Sequence, residues 1–402
     1  MSVFSIPDSM RYNAETQELQ GDINFVRYTP LSGTTFSPSQ NCKIRLTSAN
    51  EFLIPSKSYL RFDLTFTAGT IADVRTSTLG GASVLKRITT TIAGLQVEDI
   101  DNYNAYVATI YSRLPDSHKN LLKQTEGLGN TSAFSVATGR SVYHAPRIAL
   151  LEQEKHLPLA FWGGGMDIDL TFEDLAKVQS TTGGTPTTYT ISNVEFVACM
   201  LKPSDSYLQS YQSALSSGKW AKMPLQLVRN MRVSPSATTE QEVNLFTGVL
   251  RSLRSVIGVN RLTASFASNA DTFNSFDNED LKSYYFQIGS NRYPRNKAIE
   301  CVNASGVIVQ SEHLMQALCS VDNTYSHFNQ PDSYASASDY IFFNWCSNPS
   351  LGAGVIVEDG NLTLIRSYQT APASTSITDL FLVYDSVLKF NATDFMLDSK
   401  EF

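Results

Sequence analysis

The chain has few charged residues for its length. Asp, Glu, Lys and Arg make up 17% of its 402 residues, against about a quarter in a typical globular protein. The formal net charge is −7, and the most concentrated basic residues are Arg251, Arg254 and Arg261. Binding to nucleic-acid phosphates requires clustered Lys and Arg. The composition therefore argues against sequence-specific nucleic-acid binding, and we expect these arginines to be solvated or ion-paired at the surface.

Cysteine is sparse as well, and no CxxC pair occurs. The five cysteines are Cys42, Cys199, Cys301, Cys319 and Cys346. An odd, scattered set in a long chain is typical of free buried thiols in a reducing compartment rather than of a disulfide framework. The histidines are isolated too. His313 and Cys319 are six residues apart, but a helix would place them on different faces. We therefore expect passive thiols, no bound metal and no cofactor.

Long hydrophobic runs are missing. The chain nowhere contains the roughly 18 consecutive apolar residues that a membrane-spanning helix requires. Residues 1–20 contain neither a basic segment nor an apolar core, so they do not have the pattern of a signal peptide. These absences predict a protein that is made in the cell interior and is not secreted.

Catalytic motifs are also lacking. No G-x-G-x-x-G, P-loop or G-x-S-x-G motif occurs, and neither Ser132 nor His144 lies in a nucleophile motif. The carboxylates Glu98, Asp99 and Asp101 are close in sequence, as a glycosidase would require. Neighbouring strand residues face opposite ways, however, so Glu98 and Asp99 would not face one substrate. We interpret the cluster as a polar strand end with Asp101 capping the next helix, and we predict no catalytic site.

The Phe-Trp-Gly-Gly-Gly segment at residues 161–165 has two interpretations. It could be a loop that stacks a ligand on Trp162, or a tight turn that buries this side chain. A regularly alternating strand begins at once with Met166, which favours the turn.

Tyr and Phe are plentiful, at 18 and 22 residues. Thr and Tyr favour strands, whereas Asn and Ser favour turns. Surfaces that bury against neighbouring protein copies are likewise enriched in aromatic residues and depleted in Lys and Glu. The composition therefore predicts a β protein with surfaces suited to self-association.

The two halves of the chain end in the same way. Residues 166–172 alternate between apolar and polar, a turn region rich in Thr, Gly and Pro follows, and residues 190–201 form a longer apolar run. In the second half, residues 361–365, a small-residue turn region and residues 377–390 repeat this order. At 402 residues the chain also exceeds the size at which one core stops growing. A duplicated β-sandwich is the first hypothesis.

Further patterns divide each half into elements. In the first half we expect strands at residues 42–48 and 58–66 and a pair of strands at 85–100 that bends at Ala93–Gly94. We also expect a helix at residues 103–114, ended by Pro115, and an irregular surface insertion at residues 119–147. In the second half we expect strands at 225–228, 283–288 and 340–345, a polar loop at 271–280 and a short helix at 311–318. Residues 244–259 fit either a helix or a strand, and residues 206–220 form a weakly helical linker.

About eight strands in each half, joined by long loops, predict an all-β protein of two consecutive eight-stranded jelly rolls with short helices in the loops. The expected divisions are an N-terminal tail at residues 1–20, a first roll at 21–215, and a second roll with the C-terminal tail at 216–402.

Three passages carry a resemblance to a known family. They are residues 55–62, residues 80–85 together with the Asp-Asn-Tyr-Asn segment at 101–104, and residues 284–289 together with Arg-Tyr-Pro at 292–294. In this order the chain resembles the double jelly-roll major capsid proteins of icosahedral DNA viruses, the lineage that includes tectiviruses, adenoviruses and polinton-like elements. No single passage is diagnostic, and the resemblance lies in their order over most of the chain.

The resemblance implies a homotrimer with a pseudo-hexagonal outline. Such trimers tile the shell of the virion, with separate vertex or minor capsid proteins and often an internal lipid membrane as partners. A second hypothesis is a carbohydrate-binding or adhesive β-sandwich of a fibre or spike. The low charge, the unpaired cysteines and the duplicated body favour the capsid protein.

Overall fold

The computed structural model describes most of the chain. The described residues are 21–68, 76–77, 79–111, 114, 116–129, 139–179, 186–218, 220–234, 236–247, 250–262, 281–295, 297–301, 341–346, 354–357, 361–372, 376–391 and 394–398. The predicted tail at 1–20, polar loop at 271–280 and helix at 311–318 lie outside them, as does Cys319.

The strands and helices follow in chain order. The first half contains β1 Gly21–Tyr28, β2 Thr35–Phe36, β3 Asn41–Leu46, β4 Phe52–Ala68, β5 Leu85–Ile92, β6 Leu95–Ile100, β7 Arg140–His144, β8 Met166–Phe172 and β9 Pro186–Pro203. The second half contains β10 Ala221–Val233, β11 Glu240–Thr247, β12 Leu250–Leu262, β13 Leu281–Ile288, β14 Asn291–Tyr293, β15 Ile299–Glu300, β16 Ile341–Cys346, β17 Val355–Val357, β18 Asn361–Tyr368, β19 Ser376–Phe390 and β20 Phe395–Asp398. The helices are α1 Tyr103–Tyr111, α2 Asp116–Thr125, α3 Leu175–Val178 and α4 Asp205–Ser216.

The first half forms a jelly roll. One sheet has the order β1-β9-β4-β7, and the other contains β3-β8-β5-β6. With the two-residue β2 set aside, the first sheet holds the first, eighth, third and sixth strands of this half. The second sheet holds its second, seventh, fourth and fifth strands. This interleaving of early and late strands in two facing sheets is the jelly-roll arrangement.

The second half repeats this order. One of its sheets contains β10-β19-β12-β16, and the other is β11-β18-β13-β14. With the short strands β15, β17 and β20 set aside, these are again the first, eighth, third and sixth of the strands described in this half, and the second, seventh, fourth and fifth. The predicted all-β fold of two jelly rolls is confirmed, and the similar endings of the two halves are their seventh and eighth strands.

The two rolls share one continuous sheet. Strand β6 of the first roll pairs in parallel with β10 of the second, with Asp99 opposite Arg229. The fifth strand of one roll thus meets the first strand of the next, which produces a ten-stranded sheet.

Strand β8 shows how the sequence pattern specifies the register. Its apolar residues Met166, Ile168 and Leu170 lie opposite Leu46, Ile44 and Cys42 of β3, and all of them are buried. Because strand side chains alternate between the two faces, this pairing places the whole apolar set on the core side. The strand predicted at residues 166–172 is confirmed.

The hairpin between β5 and β6 is also as predicted. Ala93 and Gly94 both have positive φ values, 48° and 88°. Two such residues form the tight turn whose twist matches that of paired antiparallel strands.

The ambiguous segment at residues 244–259 consists of strands. Strand β12 lies between β19 and β16, and its consecutive residues Val256, Ile257 and Gly258 are all buried. A strand buried on both faces has no apolar alternation, which explains why the pattern did not distinguish it from a helix.

Two expectations in the first half are wrong. Residues 119–147 are not an irregular insertion, because they contain most of α2 and all of β7, whose His144 pairs with Leu60 of β4. Asn102 rather than Asp101 directly precedes α1, and its carbonyl accepts hydrogen bonds from Ala105 and Tyr106. All nine residues of α1 are buried, so this helix is an internal element rather than an amphipathic surface helix.

The predicted linker is a helix that packs on the first roll. Tyr211 of α4 contacts Phe161, with ring centroids 4.9 Å apart, and also contacts Phe52 at 6.0 Å. Leu215 near the end of α4 is buried. The connection between the halves is therefore held against the protein rather than extended.

The apolar core reaches across both halves. The first core cluster includes Phe381 and Val383 of β19 and Ile257 and Val259 of β12, all from the second half. A second cluster fills the second roll and uses the alternate β19 residues, such as Leu380 and Leu382. Strand β19 therefore contributes one face to each core.

Candidate functional site: the junction between the two halves

The three predicted carboxylates have different surroundings. Glu98 is only 4% exposed and lies opposite the buried Thr90, whereas Asp99 lies opposite the half-buried Thr89. Asp99 accepts a hydrogen bond of 2.7 Å from Arg87. Asp101 is exposed. The structure therefore does not bring these carboxylates together around one cavity.

Glu98 instead connects the two halves. Its Oε2 accepts a hydrogen bond of 2.7 Å from the backbone N–H of Ala149, and its Oε1 accepts one of 2.8 Å from that of Val228 in β10. Burial raises the pKa of Glu98 to about 8, because it outweighs these two donors, and Glu152 and Asp99 add to the increase. An ionisable side chain thus satisfies a backbone group of the second roll inside the protein.

We expect the stability of the fold to decrease as the pH rises through the pKa of Glu98. The folded-state pKa of about 8 exceeds the ordinary value of 4.5. The stabilisation from the protonated carboxyl is therefore complete below pH 4.5 and is lost as the pH approaches 8. Between pH 6 and pH 9 the native chain should lose roughly 3 kcal/mol more unfolding free energy than a Glu98→Gln variant, which has no such titration. Urea unfolding at both pH values measures this, and equal losses in the two proteins would contradict it.

A polar network continues the junction beyond Glu98. The amide of Asn102, next to α1, donates a 3.0 Å hydrogen bond to Asn230 of β10. Arg232 of β10 donates to Asn102 and binds Asp379 of β19 at 2.8 Å and 3.2 Å. Arg261 of β12 completes the group through a second ion pair with Asp379. The start of α1 is thereby fixed to two strands of the second roll.

The sequence analysis placed Arg254 and Arg261 at the surface, which is wrong, but their predicted ion pairing is confirmed. Arg261 is 1% exposed and Arg254 is 4% exposed. Arg254 donates to Gln226 at 2.6 Å and lies 3.6 Å from Asp385. A strand buried on both faces can hold an arginine only where a neighbouring strand supplies a carboxylate. The side chain of Arg251 lies outside the described part of the structure.

Aromatic contacts accompany the polar network. Tyr106 of α1 packs against Phe381 of β19 with ring centroids 5.3 Å apart. Trp162 packs edge-on against Phe390 of the same strand at 6.1 Å. Large aromatic side chains from the first half of the chain therefore pack against β19 at two positions, Phe381 and Phe390.

Trp162 is 2% exposed and anchors a tight turn, as predicted for residues 161–165. Its carbonyl accepts a 2.6 Å hydrogen bond from the N–H of Gly165. Gly165 has a φ of +71°, and a Cβ at this position would lie 2.5 Å from the carbonyl oxygen of Leu46. The glycine is needed because the turn passes close to the backbone of β3.

A second buried polar group lies within the first roll. His144 Nδ1 is 3.0 Å from the carboxylate of Glu126, and its Nε2 is 2.8 Å from the hydroxyl of Tyr103. Tyr111 also donates to Glu126 at 3.0 Å, and the N–H of Arg147 donates to Tyr103. These bonds fix α1, the residue after α2, and β7 to one another. Polar residues are typical of a surface, so the sequence of residues 119–147 predicted a surface insertion, although several of its polar side chains are buried and bind one another.

The thiols of Cys42, Cys199 and Cys301 are buried, as predicted for this residue type. Burial raises the pKa of Cys42 to about 12, so its thiolate is negligibly populated at neutral pH. Within the described residues, no three His, Cys, Asp or Glu side chains converge as metal ligands would. Among the same residues, no helix is long and apolar enough to span a bilayer.

The sequence pattern indicated Glu98 but not the polar network that continues the junction beyond it. Asn102, Arg232 and Asp379 are separated by long stretches of chain, and their hydrogen bonds form only after the two rolls have folded together. The available signal was the position of polar residues within otherwise apolar strands, as for Asp379 in β19. Such residues must find partners when they are buried.

Comparisons with solved structures agree with this architecture. The Faustovirus major capsid protein superposes with a TM-score of 0.64 at 8% identity, covering 97% of this chain and 93% of that one. VP54 of PBCV-1, as fitted into a reconstruction of the virophage Sputnik, gives a TM-score of 0.62 at 11% identity, with 96% and 98% covered. A chain of the Sputnik virophage structure gives 0.56 at 12% identity, with 99% and 93% covered. The chain therefore has the double jelly-roll fold of viral major capsid proteins.

No protein-family model matches the sequence, and no curated protein matches it. The similarity is thus one of fold over nearly the whole chain.

Proposed function

We propose that the chain is a viral major capsid protein that self-assembles as pseudo-hexameric homotrimers into an icosahedral shell. The observation that carries this proposal is the repetition of one strand order in two rolls joined through the fifth strand of one and the first strand of the next. Each chain thereby supplies two similar building blocks side by side, and three chains supply six. The fold shared with viral major capsid proteins supports the same role.

The proposal includes the setting of the protein. Its place is the virion, after synthesis in the host cell, and its partners are other copies, vertex or minor capsid proteins and, in some shells, an internal membrane. Residues 21–215 are the first roll, residues 216–402 are the second roll with the C-terminal tail, and residues 1–20 act in contacts between trimers. No catalytic step belongs to this function.

Light scattering on the purified chain tests the proposal. A homotrimer has three times the 44.4 kDa chain mass, and raising the protein concentration should yield closed particles. A monodisperse monomer at micromolar concentration would refute the assembly. A glycan array addresses the adhesive alternative, which requires specific sugar binding, and we expect none.

A further inference from the structure

The carboxylate of Glu173 binds two different kinds of nitrogen. Its Oε1 accepts a hydrogen bond of 3.1 Å from Nζ of Lys177, and its Oε2 accepts one of 2.9 Å from Nδ2 of Asn104. An i,i+4 pair of Glu and Lys is by itself an ordinary contact. Here, however, the second oxygen of the same carboxylate holds a carboxamide, so a nucleophilic amine and an electrophilic carbonyl carbon are brought to one buried group.

Three elements of the first roll position this group. Glu173 directly follows β8, Lys177 lies on α3, and Asn104 lies in the first turn of α1. Glu173 is 1% exposed and Asn104 is 2% exposed, and the side chain of Lys177 is 20% exposed. Holding two reacting groups together where there is little water lowers the barrier between them, because folding has already lost the entropy of bringing them together.

The carbonyl oxygen of the Asn104 side chain has a hydrogen-bond donor of its own. The backbone N–H of Ala105 donates to Oδ1 at 2.9 Å, and the same N–H is shared with the carbonyl of Asn102. Negative charge develops on Oδ1 when a nucleophile attacks Cγ, and a donor that already points at this oxygen stabilises that charge. The site thus contains an amine, a carboxamide, a carboxylate that binds both nitrogens, and a donor for the oxyanion.

We propose that Lys177 and Asn104 form an intramolecular isopeptide bond, with Glu173 carrying the protons. Glu173 Oε1 removes a proton from the Lys177 ammonium group, and the lone pair on Nζ attacks Cγ of Asn104 while the C=O electron pair moves to Oδ1. The carboxyl group delivers that proton to Nδ2 and accepts a second one from Nζ. The bond from Cγ to Nδ2 then breaks, the C=O bond re-forms, and ammonia leaves with the second proton as ammonium. One lysine ammonium and one carboxamide thus become one amide and one ammonium ion, and Glu173 is again a carboxylate.

The bond is a single self-modification rather than the turnover of a substrate. It joins α1 to α3, and the start of α1 is also bound to β10 of the second roll through the hydrogen bond from Asn102 to Asn230. A covalent link between distant positions of a chain stabilises the fold by restricting the unfolded chain, as a disulfide does. We therefore expect the bond to hold α1 in place at the junction between the two rolls.

The intact mass of the purified chain tests the inference, whether or not the chain assembles. We expect the folded native chain to be lighter than its sequence by the mass of one ammonia molecule, and to remain so after denaturation. In a tryptic digest, tandem mass spectrometry should find the peptide that contains Asn104 joined to the side chain of Lys177, where trypsin no longer cleaves. A native chain that has its full mass and is cleaved at Lys177, both when freshly purified and after prolonged incubation, would overturn the inference.

Variants identify the source of the mass loss. Lys177→Arg keeps the positive charge next to Glu173 but has no attacking amine, and Glu173→Gln removes the proton carrier, so we expect both chains to have their full mass. The matched control is Lys43→Arg, which should keep the loss. Lys43 also binds a carboxylate, that of Asp167 at 3.0 Å, but the oxygens of Asp167 bind Arg45 rather than a carboxamide.

The outcomes are distinct. A loss of ammonia that persists in Lys177→Arg would overturn the inference, because another side chain would then be its source. Circular dichroism monitors the fold of each variant, and the linked peptide of the native chain decides the question if a variant does not fold.

Discussion

Replacing Asp379 with Ala should lower the free energy of unfolding by about 3–5 kcal/mol. Asp379 is fully buried in β19 and pairs with both Arg261 and Arg232. Burial alone would raise the pKa of Asp379, but the two arginines hold it below its ordinary value. Removing the carboxylate leaves the guanidinium of Arg261 inside the protein without this ion pair, and a buried charge of that kind is strongly destabilising. Urea denaturation at pH 7 measures the change.

The matched control is Asp99→Ala. Asp99 binds Arg87 through a pair of similar geometry, but the side chain of Arg87 is 48% exposed, so water can replace the lost contact. We expect a change of about 1 kcal/mol or less. Equal losses of unfolding free energy in the two variants would contradict the claim that burial makes the ion pairs of Asp379 important for stability.

The first half alone should not form a stable, soluble domain. The first core cluster takes Phe381, Val383 and Leu388 from β19 and Leu225 and Leu227 from β10. Residues 1–215 lack all of them, and each fully buried side chain of this size contributes about 1.5–3 kcal/mol. The summed loss for these five side chains is about as large as the whole net stability of an ordinary domain, which is about 5–15 kcal/mol.

Expression of residues 1–215, followed by a thermal melt, measures this dependence. We expect aggregation or a melt without a cooperative transition, and we expect co-expression with residues 216–402 to restore a soluble complex. A soluble first half that melts cooperatively at the temperature of the whole chain would mean that the two rolls are independent.

The strands were predictable where one face is buried and the other is not. Strand β8 and the β5–β6 hairpin follow directly from alternation and from the Ala-Gly bend. Strand β12 was ambiguous because it is covered on both faces. The segment that contains β7 was wrongly predicted to be a surface insertion because its buried residues include the polar His144 and Glu126. These two side chains are compatible with a core because they form a hydrogen bond with each other.

The junction could be predicted only in part. The carboxylate of Glu98 was visible in the sequence, but its partner Val228 lies 130 residues away and takes part through a backbone N–H, which no residue type reveals. The ion pair of Arg261 with Asp379 likewise joins two strands that come together only in the fold. Duplication was detectable from the final strand pair of each half, and the identical strand order confirmed it.

Negative-stain electron microscopy of the purified chain is the most direct test of the assembly. We expect particles of three chains with six lobes in a pseudo-hexagonal outline, together with closed shells at higher concentration. Fields of single two-lobed particles at micromolar concentration, with no trimers or shells, would contradict it.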